Sequence, residues 1–309
     1  MTSEGNGSTL AEVTDGVHAW VQPDGTWWVN NAGFVHHDDA ILLVDTCATK
    51  NRTSALLAAA SKATRDAPIK WAVNTHQHGD HTYGNGLLPG STVLIGHENM
   101  RAGLRDDPIF DACPPIWTPV PDWGVERRRL PELVFESTLT VHLGDLRVDL
   151  HHPGHPAHTS GDVIVHVPGK QVLFAGDLLF NGLTPMLLMG SVDGARRALE
   201  WIASFEPRHI VPGHGPVIGS SELDRVLAEH DRYYRLVAAT AAEGLTRGLS
   251  PLDAARNCDL GEFTGWADAE RLVLNVHKAY ADHRGAEVDL VAAFSDAMTW
   301  HGGQLPTTV

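Results

Sequence analysis

The stretch that decides the fold is NTHQHGDH, residues 74–81, in which three histidines and an aspartate occupy six positions. It directly follows a short apolar run that predicts a strand. Alternate side chains of an extended segment point the same way, so His76 and His78 can bind one ion. Asp80 and His81 follow a glycine bend and face a neighbouring position. A bare HxH is usually a solvated turn, but HxHxDH after a strand predicts two adjacent metal sites.

Four donors in one loop cannot complete two coordination spheres, so other segments must supply ligands. Three further stretches carry suitable side chains after apolar runs, which is where α/β sheets usually build their sites. They are HHPGHPAHTSGD (151–162) with four histidines, LFAGDLLF (173–180) with Asp177, and IVPGHGP (210–216) with His214. Three such coincidences in order predict one convergent site.

This order of motifs resembles the metallo-β-lactamase-fold superfamily, whose pattern runs here from residue 76 to residue 215. The resemblance implies an α/β fold, a four-layer αββα sandwich, with two zinc ions per chain. It implies that one zinc is held by His76, His78 and His158, the other by Asp80, His81 and His214, with Asp177 bridging both. The same resemblance assigns catalytic roles to Asp80, Asp177 and His214.

Two positions near these ligands keep alternatives open. His158 precedes Thr-Ser-Gly-Asp, the context of the family ligand, and is therefore preferred to His152 and His155. His155 could support the site, contact substrate or lie on the surface. Asp45 ends the run ILLVD, and its carboxylate either fixes a ligand histidine by a hydrogen bond or caps a turn.

Hydrophobic patterning predicts alternating strands and helices followed by a helical tail. The front half should contain strands at Val17–Gln22, Trp27–Val35 and Ala40–Asp45 and a helix at Thr49–Arg65. Asp106–Glu132 is too long for a plain connector and is predicted to be a lid or a binding loop. We place an αββα domain at 1–219 and a C-terminal helical extension, packed on it, at 220–309. Its predicted helices are Ser221–Gly244, Pro251–Cys258, Trp266–His283 and Val288–Trp300, which either cover the site or form a homodimer face.

Composition bounds the environment and the partners. The opening MTSEGNGSTL has no basic start and no apolar segment, and no run is long enough for a bilayer, so we expect a soluble, cytoplasmic protein without membrane contact. The three cysteines, Cys47, Cys113 and Cys258, form no pattern and read as small buried hydrophobes. A net charge of −15 disfavours nucleic acid as a partner.

Three further stretches narrow the resemblance. They are GTWWVNNAGFV (25–35), LFAGDLLFNGLTPMLLMGSVDG (173–194) and MTWHGGQLPT (298–307). They are similar to the lactamase-like cyclase/thioesterases of aromatic (type II) polyketide pathways. This resemblance implies that the enzyme closes and aromatises the second ring of a bicyclic intermediate by aldol attack and loss of water. It also implies hydrolysis of the thioester to an acyl carrier protein.

A flat polyketide requires an apolar, aromatic pocket. The residues that could supply it lie near the metal motifs and in the predicted lid: Trp27, Trp28, Trp117, Phe180, Leu183, Met186 and Leu187. Core packing is the competing interpretation for each of them. Arg127–Arg129 could dock an acidic carrier protein, although such a charge run is more often a solvated face.

Three rival interpretations remain at this point. One is a generic di-zinc hydrolase of a thioester or lactone on the same scaffold. Another is a non-catalytic, zinc-stabilised binding protein, which would predict a lost ligand. The third concerns the metal, because imidazole and carboxylate ligands suit iron as well as zinc.

Overall fold

The computed structural model describes residues 7–23 and 25–309. Residues 1–6 of the polar opening and Asp24 lie outside the described residues. Two sheets, each with helices on its outer face, give the predicted four-layer αββα sandwich. No helix of the described residues is both long and apolar enough to cross a membrane.

The first sheet begins as an antiparallel meander and continues with parallel strands. In spatial order its strands are β1 (Thr9–Thr14), β2 (Val17–Val21), β3 (Ala32–His37), β4 (Ala40–Val44), β5 (Ile69–Val73), β6 (Val93–His97) and, after the separate short strand β7 (Trp117–Thr118), β8 (Leu133–Phe135). The parallel strands β4, β5 and β6 end at one edge, so β5 delivers residues 74–81 to that edge.

The second sheet mixes antiparallel pairs with one parallel pair. Its strands are β9 (Thr138–Leu143), β10 (Leu146–His151), β11 (Ile164–Val167), β12 (Val172–Phe180), β13 (His209–His214) and β14 (Ile218–Gly219). Valines and leucines of both sheets interdigitate between them and form a continuous apolar core. This core fixes the two sheet edges that carry the metal motifs.

The helices cover the outer faces of the sheets. They are α1 (Lys50–Thr64), α2 (Gly79–Thr82), α3 (Glu98–Arg105), α4 (Pro108–Asp111), α5 (Val192–Ala203), α6 (Ser220–Thr246), α7 (Pro251–Arg256), α8 (Arg271–Arg284) and α9 (Leu290–His301). Thr49 caps the start of α1 and Arg65, in the left-handed region, ends it, close to the predicted limits. The last four helices share one apolar cluster with α5 and the second sheet. The division of the chain at 219/220 stays a prediction, with α6 beginning at Ser220.

Two predicted elements and the burial of two cysteines differ in the structure. The strand predicted from Trp27 begins only at Ala32, because Trp28 has a φ of 69° and the preceding residues pack as an irregular segment. The helix predicted from Trp266 begins at Arg271, after a turn in which Asp268 has a φ of 57°. Cys47 is buried as expected, whereas the other two cysteines are half-buried, and all three are free.

Candidate metal centre

Four segments carry the predicted donors to one place between the sheet edges. Residues 74–81 follow β5, His158 lies in the loop between β10 and β11, and His214 ends β13. Asp177 lies inside β12, which continues past a register shift at Gly176. Gly176 has a φ of 52°, and a Cβ there would approach the Thr75 side chain to 2.7 Å. Glycine therefore allows the chain to turn Asp177 towards the histidines.

The first donor cluster consists of His76, His78, His158 and Asp177. Nδ1 of His78 lies 3.1 Å from Nε2 of His76 and 2.8 Å from Nε2 of His158. Oδ2 of Asp177 lies 3.3 Å from Nε2 of His158 and 3.8 Å from Nε2 of His76. Three imidazole nitrogens and one carboxylate oxygen thus surround one small volume, a donor set that suits zinc.

The second donor cluster consists of Asp80, His81 and His214, and Asp177 lies between the two clusters. Nε2 of His214 lies 3.2 Å from Oδ2 of Asp80 and 3.4 Å from Oδ2 of Asp177. Nε2 of His81 lies 3.1 Å from Oδ1 of Asp177. The carboxylate of Asp177 therefore presents its oxygens to both groups of histidines.

The donors fit a metal ion by a direct observation. Nε2 of His81 and Oδ1 of Asp177 are buried, and neither has a hydrogen-bond partner among the described residues. They face each other at 3.1 Å without hydrogen-bond geometry. Buried polar atoms without a partner are costly, and a shared cation satisfies both.

The outward-facing nitrogens of the ligand histidines are held by the protein. Nδ1–H of His158 donates to the Met186 carbonyl at 2.7 Å, and Nδ1–H of His214 donates to the Val29 carbonyl at 2.9 Å. Nδ1–H of His81 donates to Oδ2 of Asp45 at 2.8 Å. Such bonds fix the tautomer and leave Nε2 free as a ligand atom. The structure thus favours the supporting role for Asp45 over turn capping.

His78 is held differently from the other histidines. It presents Nδ1 to the cluster, and its Nε2 lies 3.3 Å from Sδ of Met189, a weak acceptor. Met189 is 44% exposed, so this side of the centre opens towards solvent.

The protein groups alone polarise the centre strongly. Burial lowers the pKa of His76 well below its usual value and that of His158 to about 4, which leaves neutral rings. Burial alone would also lower the pKa of His81, but the carboxylates of Asp177, Asp45 and Asp80 hold it well above its usual value. Burial would raise the pKa of Asp80, yet His81 and His214 bring it to about 2. The carboxylate of Asp80 is therefore ionised at neutral pH and attracts a cation.

A cavity of about 370 Å³ opens onto both clusters. Its floor includes His78, Asp80, Asp177 and His214, so these predicted donors are accessible from it. Its wall contains five of the predicted pocket residues, namely Trp27, Trp28, Trp117, Phe180 and Met186.

Leu183 and Leu187 do not form part of the cavity wall and are corrections to the prediction. Both are buried, and Met186, Leu188 and Met189 of the same segment line the cavity instead. Backbone contacts hold them there, since Leu183 pairs with Ala267 and the Leu187 N–H donates to Asn275 at 2.7 Å.

Sequence reasoning missed several wall residues, some of which distant elements supply. They are Tyr83, Ile109, Leu188, Met189, Arg271, Leu290 and Phe294. Leu290 and Phe294 lie four residues apart on α9, and this helical spacing was the available signal. Helices α8 and α9 therefore cover the site, one of the two roles considered for the helical tail.

The remaining histidines of residues 151–162 lie outside the clusters. Nδ1–H of His152 donates to the Asp162 carbonyl at 2.8 Å, and its ring packs against His97. His155 is absent from the described cavity wall.

The Arg127–Arg129 run does not form a basic patch. Arg129 is buried and bonds Glu132 and the backbone carbonyls of Leu88, Pro89 and Thr92. Arg128 bonds two carbonyls and Asp111.

The layered fold and the paired His/Asp clusters define a metal-binding protein of the αββα class. The model of the metallo-beta-lactamase superfamily matches residues 25–214, and the chain belongs to this superfamily. Its fold implies a metal site, typically for zinc.

Comparison with curated proteins gives distant relatives. The chain is 25% identical over 173 residues to the human acyl-coenzyme A thioesterase MBLAC2, which covers 52% of this chain and 61% of that protein. It therefore spans about three fifths of that relative's length. It is also 25% identical over 272 residues to the 2,4-dinitroanisole O-demethylase subunit alpha of Nocardioides sp. strain JS1661, with 85% and 70% coverage.

Solved structures share the fold. The metallo-β-lactamase FIM-1 from Pseudomonas aeruginosa, in its mono-zinc form, superposes with a TM-score of 0.56 at 22% identity. The superposed region covers 74% of this chain and 96% of the FIM-1 chain. A metallo-β-lactamase from Erythrobacter litoralis gives a TM-score of 0.58 at 19% identity, with 74% and 99% coverage. These likenesses establish the architecture alone.

Proposed function

We propose that this protein is a di-zinc hydrolase of acyl thioesters with a bulky, flat acyl group. The observation that carries this proposal is the apolar cavity that opens directly onto the paired donor clusters. Thioester hydrolysis is also supported by the activity named for the human relative.

The zinc ions would be held by the two clusters, with His76, His78 and His158 on one, Asp80, His81 and His214 on the other, and Asp177 between them. The unpartnered atoms of His81 and Asp177 support two ions, because they lie on the side of Asp177 that faces the second cluster. When bound, zinc polarises a carbonyl oxygen and lowers the pKa of a water molecule to about 7.

The protein groups around the clusters supply orientation and exclude water. Asp80, Asp177 and His214 all face the cavity, consistent with their predicted catalytic roles. Asp80 is ionised and can orient a water by accepting its hydrogen bond. The Phe180 ring stacks on that of His214 with centroids 5.1 Å apart and planes 2° apart, which shields this histidine from bulk water.

The acyl group would lie between aromatic walls. The Trp28 ring meets those of Trp117 and Trp123 at 4.9 Å and 4.6 Å, and the Arg271 guanidinium lies 4.5 Å from the Trp27 ring centroid. Flat faces of this kind favour conjugated or polycyclic acyl chains over flexible ones.

As the finer form of this proposal, the acyl group is a bicyclic poly-β-ketone whose second ring is closed before release. In that reaction an enol carbon attacks a ketone, a C–C bond forms, water is lost, and hydrolysis then cleaves the C–S bond. This proposal is supported by the places that residues of the stretches resembling polyketide cyclases occupy around the cavity. Oγ1 of Thr307 donates to the Trp27 carbonyl at 2.6 Å, and Phe180 belongs to the same cavity wall. The thiol partner, an acyl carrier protein, remains part of the proposal.

The test is a product assay with two thioesters of one small thiol, one carrying a bicyclic poly-β-ketone and one a saturated acyl chain. Wild-type protein should release the ring-closed aromatic acid, identified by mass spectrometry. Asp80→Asn should reduce the rate on the order of 100-fold, since a group that positions the reacting water typically contributes this much. His142→Gln, an exposed change on β9, is the matched control.

The outcomes separate the alternatives. Release of an open-chain acid alone would reject ring closure and retain the thioesterase. No turnover of either thioester, with zinc still bound, would reject both and favour a lactone substrate or a zinc-stabilised binding protein.

A further inference from the structure

A third group of possible metal donors lies on the second sheet, away from the catalytic clusters. Asp149 and His151 belong to β10 and His166 belongs to β11, with Asp149 directly opposite His166 in the register. Because side chains alternate along a strand, these three share one face. Val148, Leu150 and Val165 point into the core between the sheets, so the three donors point outwards.

The three side chains converge on one point. One nitrogen of each histidine and one oxygen of Asp149 all lie within 4.8 Å of one another. The ring of Phe205, just beyond α5, packs 5.2 Å from that of His151 and 5.1 Å from that of His166. This aromatic ring restricts the side-chain rotation of both imidazoles and keeps them close to each other.

The donor atoms are available for a ligand. Among the described residues, hydrogen bonds to Asp149 reach only Oδ1, from Nε of Arg147 at 2.8 Å and from Oγ1 of Thr140 at 2.7 Å. Neither imidazole takes part in a hydrogen bond within the described chain. The second carboxylate oxygen and two half-buried rings therefore remain without a protein partner.

The protonation states suit a cation. Burial lowers the pKa of His151 and of His166, so both rings are neutral near pH 7 and offer lone pairs. Burial would raise the pKa of Asp149, but hydrogen bonds from Arg147 and Thr140 lower it, so the carboxylate is ionised. Arg147 is 61% exposed and can move away from an incoming ion.

We propose that Asp149, His151 and His166 bind a further divalent transition-metal ion, which links β10 to β11 on the outer face of the second sheet. Two imidazoles and a carboxylate suit late first-row metals such as zinc and copper. Water completes the coordination, because the chain supplies three ligands. An ion with three protein ligands should bind more weakly than the ions of the catalytic clusters. It would also stabilise the ends of both strands, between which the loop carrying His158 runs.

The experiment counts zinc bound by the full chain without a polyhistidine tag. Chelator-treated protein is titrated with zinc against a chromogenic zinc indicator, and the bound equivalents are compared between wild type and His166→Gln. Wild type should bind one equivalent of zinc more than the variant. This additional equivalent should bind with lower affinity than the zinc in the two clusters. His142→Gln is the matched control, since His142 lies opposite Arg147 on the same face of the sheet, and it should bind as wild type does.

Equal equivalents in wild type and His166→Gln would overturn the proposal. Far-ultraviolet circular dichroism establishes that the variant is folded, and thioester hydrolysis should be unchanged, because His166 lies outside the catalytic cavity. His151→Gln must give the same loss of one equivalent. If only one of the two substitutions removes the equivalent, the three-donor site is rejected.

Discussion

Asp45 shows how a single carboxylate organises the metal centre from behind. Its Oδ2 accepts hydrogen bonds from Nδ1–H of His81 and from the Thr75 hydroxyl, both at 2.8 Å, and its Oδ1 accepts from the Thr75 N–H at 2.7 Å. Its backbone has a φ of 61°, a conformation that aspartate and asparagine tolerate best among side chains with a Cβ. Both the carboxylate and the backbone conformation of Asp45 thus help to position the His81 ring.

We predict that Asp45→Asn weakens zinc binding about 10- to 100-fold at the cluster that contains His81. Asparagine keeps the shape and tolerates the backbone conformation, but it replaces one acceptor oxygen by an amide that faces two donors. Competition with a zinc indicator measures the change. Asp39→Asn, at an exposed turn, should leave the affinity as it is. Equal affinities for Asp45→Asn and wild type would show that Asp45 does not hold the ligand.

At the level of residues, the sequence located the side chains that converge in the two clusters better than it located the cavity wall. Each donor belongs to a short motif near an apolar run, so local pattern located His158 among four nearby histidines. Arg271 and Phe294 were missed because packing between distant segments, rather than any local pattern, brings them to the cavity.

The two-residue strand β15 (Leu305–Pro306) fastens the predicted lid to the rest of the protein. It pairs in parallel with β7, and the Leu305 N–H donates to the Ile116 carbonyl at 2.8 Å. The hydroxyl of Thr307 then bonds the Trp27 carbonyl at 2.6 Å. This short segment therefore holds two walls of the cavity, around Trp27 and Trp117, against each other.

We predict that Thr307→Val raises the KM for an aromatic thioester about tenfold. Loss of the hydroxyl leaves the buried Trp27 carbonyl without this donor, which costs about 1 to 2 kcal/mol and loosens the wall. The zinc content should not change. Thr308→Val, an exposed neighbour, is the control. Acrylamide quenching of tryptophan fluorescence gives a readout that needs no substrate. If quenching is identical in Thr307→Val and wild type, the segment Leu305–Thr307 does not hold the cavity wall.

At the level of elements, prediction succeeded where local pattern and tertiary environment agree. The limits of α1 follow from its capping residues. The segment Trp27–Asn31 has β-forming residues, yet tryptophan packing and the bond from Nε1 of Trp27 to Glu270 at 2.6 Å impose an irregular backbone. Strand β1 was not predicted, because its alternation is weak at the polar edge of the sheet.

His230 of the helical tail is hydrogen-bonded to β12, the strand that carries Asp177. This residue of α6 is buried, its Nδ1–H donates to the Val226 carbonyl at 2.9 Å, and its Nε2 accepts the Phe180 N–H at 3.1 Å. Both nitrogens are therefore used by the neutral ring. Burial lowers the pKa of His230 to about 4.

We predict that this histidine makes the folded state less stable in acid. Between pH 6.5 and about 4 the unfolded chain binds a proton at His230 that the folded chain excludes, so the free energy of unfolding falls as the pH falls. This part of the free energy of unfolding is fully present above pH 6.5, and about 3 kcal/mol of it is lost by pH 4. Denaturant unfolding at several pH values measures it.

The comparison variant is His230→Gln, which can still accept the Phe180 N–H. It should be less stable than wild type at pH 7 but lose less stability on acidification. His142→Gln changes an exposed histidine and should keep the wild-type slope. A wild-type slope in His230→Gln would contradict the assignment.

At the scale of the molecule, the order of motifs along the chain was enough to predict the αββα sandwich. The substrate was less accessible to prediction, because the candidate metal ligands indicate only a cofactor, whereas the cavity wall is assembled partly from distant segments. The role of the tail in covering the centre could be considered only as one of two alternatives, since its helices carry no motif.

The bond between Thr307 and Trp27 also has a consequence for biosynthesis. Translation proceeds from the amino end, and early segments begin to fold while later ones are still being added. A nascent chain that has emerged as far as His214 already contains every donor of both clusters. The cavity above them still lacks α8, α9 and the segment Leu305–Thr307. The growing polypeptide therefore contains its full set of candidate metal donors well before it can complete the cavity above them.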